Sequence, residues 1–448
     1  MSGPKIVIVG AASTEFGLPT ISGLFEERET LDGATLSLVD IEPEGLEAMA
    51  GWVAAANEEL GAPFKVESTT DRLEALPGAD FVVNSVEVAR FDAWAKDWEI
   101  PIAHGVIHTY GENGGPGALS HSLRQIPLLL GIARDIERLA PDALVLNYSN
   151  PLTRVCLALT RYTSLRVVGL CHGIAMAYSK VGRVMGWITA EWDSPEEEAE
   201  EQAVADFLEV QACGLNHITF ITELRDRRTG EDLYPAFREA LSEYDPDFEV
   251  VSRRLFELYG LYPAQYDDHV GEYLAWARPD GHPFADRLEE VEQRRKDMRE
   301  RMRAAAREEI DATMLLSSDA RMDDRAPMIV GAIAGGRNQY ELAVNVVNDG
   351  SIQGLPDWAV VEIPAVAGSY GVRGLAMGSL PAGITSLFNE QIAIQDRVVE
   401  AAVHGDREAA LEALLLDPVS NRDAGEAEAM LDDLLAAHAE LLPQFSRA

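Results

Sequence analysis

Basic residues are scarce in this chain, and lysine is the scarcer of the two kinds. The 448 residues include 75 Asp and Glu against 37 Lys and Arg, which gives a formal net charge of −38. Only five of the basic residues are lysines: Lys5, Lys65, Lys96, Lys180 and Lys296. A field of this sign repels phosphate backbones and anionic lipids, so it argues against nucleic-acid partners and against membrane binding. Such an acidic, lysine-poor composition is also typical of proteins adapted to high salt, which we take as a hypothesis.

Cysteines and long apolar runs are scarce as well. Cys156, Cys171 and Cys213 are too few for a disulfide framework in a chain of this length, which favours a reducing compartment. No stretch has the roughly 18 to 20 consecutive apolar residues that a membrane span needs. The chain begins with one lysine and a short apolar run, which is not the pattern of a signal peptide. These absences predict a cytoplasmic protein, and the length suits two closely packed domains.

The N-terminus carries the pattern of a nucleotide-binding β-α-β unit. An apolar strand at residues 5–9 leads into a turn with Gly10, Ala12 and Ser13. The next strand ends at Asp40. In dinucleotide-binding folds a glycine permits the tight turn, a helix N-terminus faces the pyrophosphate, and an acid binds the adenosine ribose. The glycine pattern is incomplete here, but we predict that these four residues bind NAD, because an aspartate would repel the 2′-phosphate of NADP.

Several later strands are predicted to end in polar residues. Asn150 follows an apolar run and precedes a proline, and Cys171 and His172 follow another. A glycine-rich loop at residues 111–117 lies ahead of a strongly helical segment at residues 120–139. Ligands of open α/β sheets bind at the carboxyl ends of the strands. By itself, the Cys-His pair fits either a soft metal-binding edge or a buried thiol beside a hydrogen-bonded histidine.

The pattern changes in the second half of the chain. Residues 204–211 and 219–222 are predicted to be strands of a mixed sheet, and residues 344–350 a strand that ends in a hairpin turn. The whole pattern predicts an α/β protein. Its N-terminal Rossmann-like parallel sheet, residues 1–190, would pack on a C-terminal α+β domain, residues 191–448.

The second half also contains candidate ligands and proton acceptors. His217 ends a Gly-Leu-Asn-His run, and one cysteine with one histidine would leave coordination positions open for substrate oxygens. By softness alone, Mn²⁺ is an unusual partner for a thiolate. The run from Tyr262 to His269 is rich in groups that can accept a proton. The alternative for its two carboxylates, Asp267 and Asp268, is that they cap a helix.

Taken in order, these motifs resemble glycoside hydrolase family 4, the NAD- and divalent-metal-dependent glycosidases that differ from two-carboxylate enzymes. The resemblance runs through nearly the whole chain and is carried by Gly10-x-Ala12-Ser13, Asn150-Pro151, Gly169-Leu170-Cys171-His172-Gly173, Gly214-Leu215-Asn216-His217 and Asp267-Asp268-His269-x-x-Glu272-Tyr273. It implies a fold like that of lactate and malate dehydrogenases. The C-terminal domain would then bind substrate and metal and mediate assembly into a homodimer or homotetramer.

The resemblance also implies redox-assisted elimination. NAD⁺ takes a hydride from sugar C3, a base removes the C2 proton, the aglycone leaves from C1, water adds, and the ketone is reduced back. By family position, Cys171 and His217 hold the metal, expected to be Mn²⁺, and Asn150 binds the sugar.

The same resemblance assigns the proton transfers. His172, next to the metal-binding cysteine, is the implied acid, and Asp268 is the implied base. Family members use either a tyrosine or an aspartate near this position, so Tyr266, Asp267 and His269 stay open as alternative bases.

The residues after the cysteine suggest the substrate class. Cys171-His172-Gly173 and the glycine-rich loop are similar to the family members that act on α-linked uronic acids, which predicts an α-galacturonide or an α-glucuronide. The alternatives within the family are neutral and 6-phosphorylated glycosides. Outside the family, the alternatives are an NAD-dependent 2-hydroxyacid dehydrogenase and a non-catalytic NAD-binding protein.

Overall fold

The computed structural model describes residues 3–192, 194–277, 288–316, 325–420 and 423–447. Its strands, in chain order, are β1 Lys5–Val9, β2 Thr35–Val39, β3 Lys65–Thr69, β4 Phe81–Asn84, β5 Leu144–Asn147, β6 Arg166–Gly169, β7 Leu208–Leu215, β8 Ile218–Asp226, β9 Tyr262–Pro263, β10 Gln339–Val347, β11 Ile352–Gln353, β12 Val360–Gly368, β13 Gly371–Gly374 and β14 Gly378–Ser379.

The α-helices pack on both faces of the main sheet. They are α1 Gly17–Glu26, α2 Pro43–Glu59, α3 Arg72–Ala75, α4 Arg90–Ala103, α5 Gly115–Leu139, α6 Leu152–Tyr162, α7 Met176–Val184, α8 Pro195–Phe207, α9 Tyr234–Glu243, α10 Val250–Tyr259, α11 Asp267–Val270, α12 Leu288–Ala306, α13 Ala326–Gly335, α14 Ala382–His404, α15 Arg407–Leu416 and α16 Ala424–Ala437. Among the described residues, none of these helices is long and apolar enough to cross a membrane.

The first half forms the parallel sheet that the sequence predicts. Its strand order is β3-β2-β1-β4-β5-β6, the doubly wound order of dinucleotide-binding folds. Alternate residues of each strand face opposite sides. In β1, for example, Val7 packs in the core beneath α5 and α6, whereas Ile6 and Ile8 pack in the core beneath α1 and α2. The apolar runs that predicted these strands are therefore buried on both faces.

The second half extends the same sheet. After β6 the order continues through β10, β12, β7, β8 and β9, and each of these neighbours is antiparallel. The junction is narrow, because β6 meets β10 at one residue pair, Gly169 opposite Asn345. The strands β11 and β14 form a separate small sheet. Strands from both halves of the chain thus belong to one continuous sheet. This continuity does not test the predicted domain boundary at residue 190, which stays a prediction.

The prediction for residues 204–211 is wrong in its first half. Ser194 caps α8 by accepting a hydrogen bond from Glu197 N, Pro195 opens the helix, and the helix continues to Phe207. Acidic residues fill its first turn, where the helix dipole favours negative charge. The strand β7 therefore starts only at Leu208.

The helix predicted at residues 120–139 begins earlier than its sequence pattern indicated. The observed helix α5 starts at Gly115, with Pro116 in its first turn, so the last glycines of the glycine-rich loop belong to the helix.

Candidate active site

The residues predicted to bind NAD line one cleft at the carboxyl ends of β1 and β2. Its volume is about 580 Å³, and Gly10, Ala12, Ser13 and Asp40 are all part of its wall. The Asp40 carboxylate accepts hydrogen bonds from Ala12 N and Glu42 N, each at 3.0 Å. This carboxylate therefore holds the turn after β1 against the end of β2.

Two glycines explain how this turn can be so tight. Gly10 has φ +91°, and a Cβ there would lie 3.0 Å from the Ser85 carbonyl oxygen. Gly17 starts α1, and a Cβ there would lie 2.3 Å from the Ala11 carbonyl oxygen. Close packing of the helix against the strand is the role of the third glycine in dinucleotide-binding turns. Sequence reasoning missed Gly17, because it lies beyond the expected spacing.

A second cavity of about 240 Å³ adjoins the cleft. The residues that line both spaces are Glu15, Phe16, Arg90, Phe91, Glu112, Tyr148 and Asn150. Cys171, His172, His217 and His269 line only the second cavity. The cleft and this pocket are thus contiguous, and groups bound in each would lie side by side.

The structure brings the two predicted metal ligands together. Cys171 follows β6, and its Sγ lies 3.6 Å from His217 Nε2. Gly173 N donates a hydrogen bond to the same sulfur at 3.4 Å. His217 projects from the two-residue turn between β7 and β8 with φ +67°. Such hairpin turns favour glycine at positive φ, so a histidine at this position carries backbone strain, which often marks a functional residue.

Buried polar groups hold this hairpin in place. Asn216 donates to Glu362 Oε1 at 2.9 Å, and the Tyr273 hydroxyl donates to Asn216 O at 3.0 Å. Glu362 is fully buried and also accepts from Asn345 at 3.0 Å. The hairpin that carries His217 is therefore held by β10, by β12 and by the segment after α11.

Glu272 lies behind the two pocket histidines. Its Oε1 is 3.4 Å from His217 Nδ1 and 3.6 Å from His269 Nδ1. Burial alone would raise the pKa of Glu272, but the hydrogen bond with His217 and the charges of the two nearby histidines outweigh burial and lower the pKa to about 2. The carboxylate is therefore ionised at neutral pH and favours imidazoles that carry a proton on Nδ1.

The donor atoms suit a divalent metal ion. The ligand atoms of His217 and His269 lie within 4.8 Å of each other and of the Glu272 carboxylate behind them, and the sulfur of Cys171 lies 3.6 Å from His217 Nε2. A thiolate with imidazole nitrogens is a set that borderline and soft metals prefer. The pocket beside it leaves room for further oxygen ligands.

His172 and Asn150 also lie at the pocket. Desolvation in the pocket, followed by the charges of His269 and His217, lowers the pKa of His172 to about 4, although the residue as a whole is exposed. Asn150 donates to Glu112 Oε1 at 3.3 Å. Neutral imidazole is thus the form of His172 favoured at pH 7.

Asp268 is the one predicted site residue that the structure does not bring into this group. It is exposed, its Oδ1 accepts from His269 N at 2.8 Å, and it lines neither cavity. The reason is local: Asp268 lies in the first turn of the short helix α11, on the side away from the pocket. Among the alternatives, Asp267 caps α10 by accepting from Val251 N and Ser252 N, and His269 alone lines the pocket.

Tyr266, the remaining alternative, lies outside both cavities. Its ring packs edge-on against Trp192, and burial raises its pKa well above the ordinary value.

Carboxylates outnumber cations around Arg90, which lies where the two cavities meet. Arg90 contacts Glu15 at 2.5 Å and Glu87 at 3.3 Å, and Glu112 lies nearby in the pocket wall. Burial raises the pKa of Glu87 to about 7, partly offset by Arg90. Sequence reasoning missed Arg90, Glu87 and Glu112, of which only Glu112 had a signal, its place in the glycine-rich loop.

Solved structures confirm the fold class. The chain superposes on a 6-phospho-alpha-glucosidase from gut microorganisms in complex with NAD and Mn²⁺ with a TM-score of 0.77 at 23% identity, covering 99% of this chain and 100% of that one. A lactate dehydrogenase from a deep-sea metagenome library gives a TM-score of 0.51 at 15% identity, covering 90% and 100%. The fold is thus the dehydrogenase-like α/β fold in the form that these glycosidases share.

Sequence comparison identifies the family. The chain matches the family 4 glycosyl hydrolases over residues 5–186 and the C-terminal domain of that family over residues 212–420. It is 34% identical to an alpha-glucosidase of Erwinia rhapontici over 93% of this chain and 94% of that protein. It is 29% identical to an alpha-galactosidase of Bacillus subtilis (98% and 99% covered) and 27% to an alpha-galacturonidase of the same species (96% and 96%). The chain belongs to the family 4 glycosyl hydrolases.

Proposed function

We propose that this chain hydrolyses α-linked glycosides with a bound NAD⁺ and a divalent metal ion, expected to be Mn²⁺. The observation that carries the proposal is the continuity of the cleft that contains Gly10 and Asp40 with the pocket that contains Cys171 and His217. A hydride acceptor in the first and a metal in the second would face the same sugar. Relatives solved with NAD and Mn²⁺, and relatives described as alpha-glycosidases, support it.

In this proposal NAD⁺ supplies a hydride acceptor and the metal a Lewis acid. The protein's part is to hold both and to place the sugar. The turn at Gly10, Ala12 and Ser13, together with Asp40, would hold the dinucleotide. Asn150 and Glu112, hydrogen-bonded to each other where the cavities meet, would receive the sugar hydroxyls.

The proton transfers fall to residues beside Cys171. We propose His172 as the acid that protonates the leaving oxygen; since its pKa is about 4 in the free protein, a bound substrate must raise that pKa for it to act at pH 7. For the base, the sequence predicts Asp268, but position in the pocket favours His269. Comparing Asp268→Asn with His269→Asn decides between them, because only loss of the true base stops exchange of the sugar C2 proton with solvent deuterium.

For the substrate class, the pocket favours a neutral α-glucoside or α-galactoside. Arg90 is already paired with two carboxylates, so an anionic sugar would add charge where negative charge is in excess. Aromatic rings of Phe16, Phe91, Trp94 and Tyr110 line the pocket and suit the apolar face of a neutral hexose.

The uronide remains the second candidate. The Cys171-His172-Gly173 sequence favours it, as does the displaceable pairing of Arg90 with Glu15, whose side chain is 42% exposed. A uronate could take the place of Glu15 on this guanidinium.

The test is hydrolysis of the p-nitrophenyl α-glycosides of glucose, galactose, glucuronic acid and galacturonic acid, with NAD⁺ and Mn²⁺ added. We expect turnover on a neutral sugar, loss of activity on chelation, and loss of Mn²⁺ affinity in Cys171→Ser with NAD⁺ affinity retained. Turnover on the uronides alone would select the second candidate. Cleavage of no glycoside, with NADH accumulating on a 2-hydroxy acid, would replace the glycosidase by a dehydrogenase.

A further inference from the structure

We propose that Glu272 is a positioning residue that couples the metal-binding histidine, His217, to the glycine-rich loop, residues 111–117, which contributes Glu112 to the pocket wall. The inference rests on the proposed function, because it takes His217 as a metal ligand. It assigns to Glu272 a role behind the metal site and not in it.

One oxygen of Glu272 binds the loop. Its Oε2 accepts hydrogen bonds from three successive backbone amides, Glu112 N at 2.8 Å, Asn113 N at 2.6 Å and Gly114 N at 3.1 Å. Three amides that converge on one oxygen form a concave anion site of the kind that backbone turns provide. The Glu272 carboxylate therefore fixes the backbone of the loop at residues 112–114, and with it the position of Glu112.

The other oxygen of Glu272 orients the imidazoles. Oε1 faces Nδ1 of both His217 and His269, so each ring directs its Nε2 away from Glu272. His217 Nε2 then lies 3.6 Å from Cys171 Sγ. A carboxylate that accepts the second N–H of a ligating histidine fixes its tautomer and orientation.

The surroundings argue against Glu272 as a metal ligand itself. Its side chain is fully buried, it lines neither cavity, and both of its oxygens face N–H groups of the protein. The fit is also close in space, since a Cβ on Gly114 would lie 2.3 Å from the Glu272 carbonyl oxygen. An acceptor with two oxygens is the group that this arrangement of donors requires.

The experiment replaces Glu272 by glutamine, which keeps the shape but puts an NH₂ group where donors already converge. Mn²⁺ affinity is measured by the decrease of the free-ion EPR signal, with no substrate present. Amide hydrogen exchange is followed at residues 112–114. We expect Glu272→Gln to bind Mn²⁺ roughly 10- to 100-fold more weakly and to exchange these amides faster. Glu341→Gln is the matched control, because Glu341, on β10, is equally buried but pairs with Arg325. This variant should keep wild-type values of both.

Wild-type Mn²⁺ affinity in a folded Glu272→Gln protein would overturn the inference, even if loop exchange rose, and would leave the proposed function intact. Conversely, a wild-type protein that cleaves no glycoside but shows the predicted loss in Glu272→Gln would reject the function and keep the coupling. If the glutamine variant does not fold, Glu272→Asp, which is one carbon shorter and cannot span both partners, is measured in the same way. Unchanged affinity in that variant would equally count against the inference.

Discussion

His121 is a buried imidazole in the early turns of α5, behind the pocket wall. Its Nδ1 lies 3.4 Å from the Glu112 carbonyl oxygen, and only 3% of the residue is exposed. Burial, and then the charge of Arg124, lowers the pKa of His121 to about 4. The native protein therefore keeps this ring neutral at a pH where the unfolded chain would protonate it.

This shift predicts a dependence of stability on pH. Because the folded pKa of His121 is below the ordinary 6.5, its contribution is present above about pH 6.5 and is lost as the pH falls towards 4. We expect His121→Gln to lose less thermal stability than the wild-type protein between these values. Melting temperatures measured at several pH values check this. His404→Gln, at an exposed position on α14, is the control, and equal acid losses in wild type and His121→Gln would refute the assignment.

Single residues of the site were predictable where a motif and a strand end coincided. Cys171, His172 and Asn150 each follow a buried strand, and the structure places all three at one pocket. Asp268 and His269 could not be separated, because in a helix of one turn a shift of one residue decides which side chain faces the pocket. The sequence marks Glu272 only as part of a motif and does not predict its role, because its partners are backbone amides far away in sequence.

At the level of elements, the start of α5 depends on glycines that have no room for a side chain. A Cβ on Gly117 would lie 2.5 Å from the Gly111 carbonyl oxygen and 3.0 Å from the Asp97 carbonyl oxygen. Gly131, later in the same helix, has nothing within 4 Å of its Cβ position. One helix thus contains a glycine that packing requires and one that it does not.

The two alanine substitutions should have opposite effects. Gly117→Ala should displace the glycine-rich loop and lower both kcat and thermal stability, whereas Gly131→Ala should raise stability by up to about 1 kcal/mol, since alanine is the better helix former. Unfolding curves and steady-state kinetics of both variants measure this. A Gly117→Ala protein with wild-type activity would contradict this prediction, because it would show that catalysis tolerates a displaced loop.

The helix and strand boundaries of the second half were harder to predict than those of the first. In the parallel sheet each strand is an apolar run between polar turns, so sequence alone locates it. Residues 204–207 are apolar enough to resemble a strand. In the structure they are the last turn of α8, the helix that begins after the cap at Ser194. A helix that leads directly into β7 leaves no turn residue to mark the change.

The whole molecule carries a formal charge of −38. The repulsion between its many carboxylates destabilises the compact folded state. Salt at about 1 M reduces the Debye length to about 3 Å, so most repulsion between surface carboxylates would be screened. We expect the melting temperature to rise by several degrees between about 0.1 M and about 2 M KCl. A melting temperature that falls or stays constant over this range would argue against high-salt adaptation.

The sequence predicted a parallel Rossmann-like sheet and a mixed second half, but not that they form one sheet. The contact that joins them, Gly169 with Asn345, links strands that are far apart in the chain, and so does the pairing of Gly214 with Glu362 within the second half. Pairing between such strands depends on the shape of the assembled core, which local sequence patterns do not encode.

The narrow junction between β6 and β10 limits how this enzyme can be recombined with its relatives. A Cβ on Gly169 would lie 2.6 Å from Cys156 Sγ and 2.9 Å from Asn345 Cβ, so β6, α6 and β10 must match one another closely. A chimera that exchanges the two halves to change sugar preference would combine Cys156 and Gly169 of one parent with Asn345 of another. The close packing at these positions would then be lost. Sugar specificity should therefore be transferable by exchanging pocket loops alone. If the second half is exchanged, the residues at positions 156 and 169 should come from the same parent as that half.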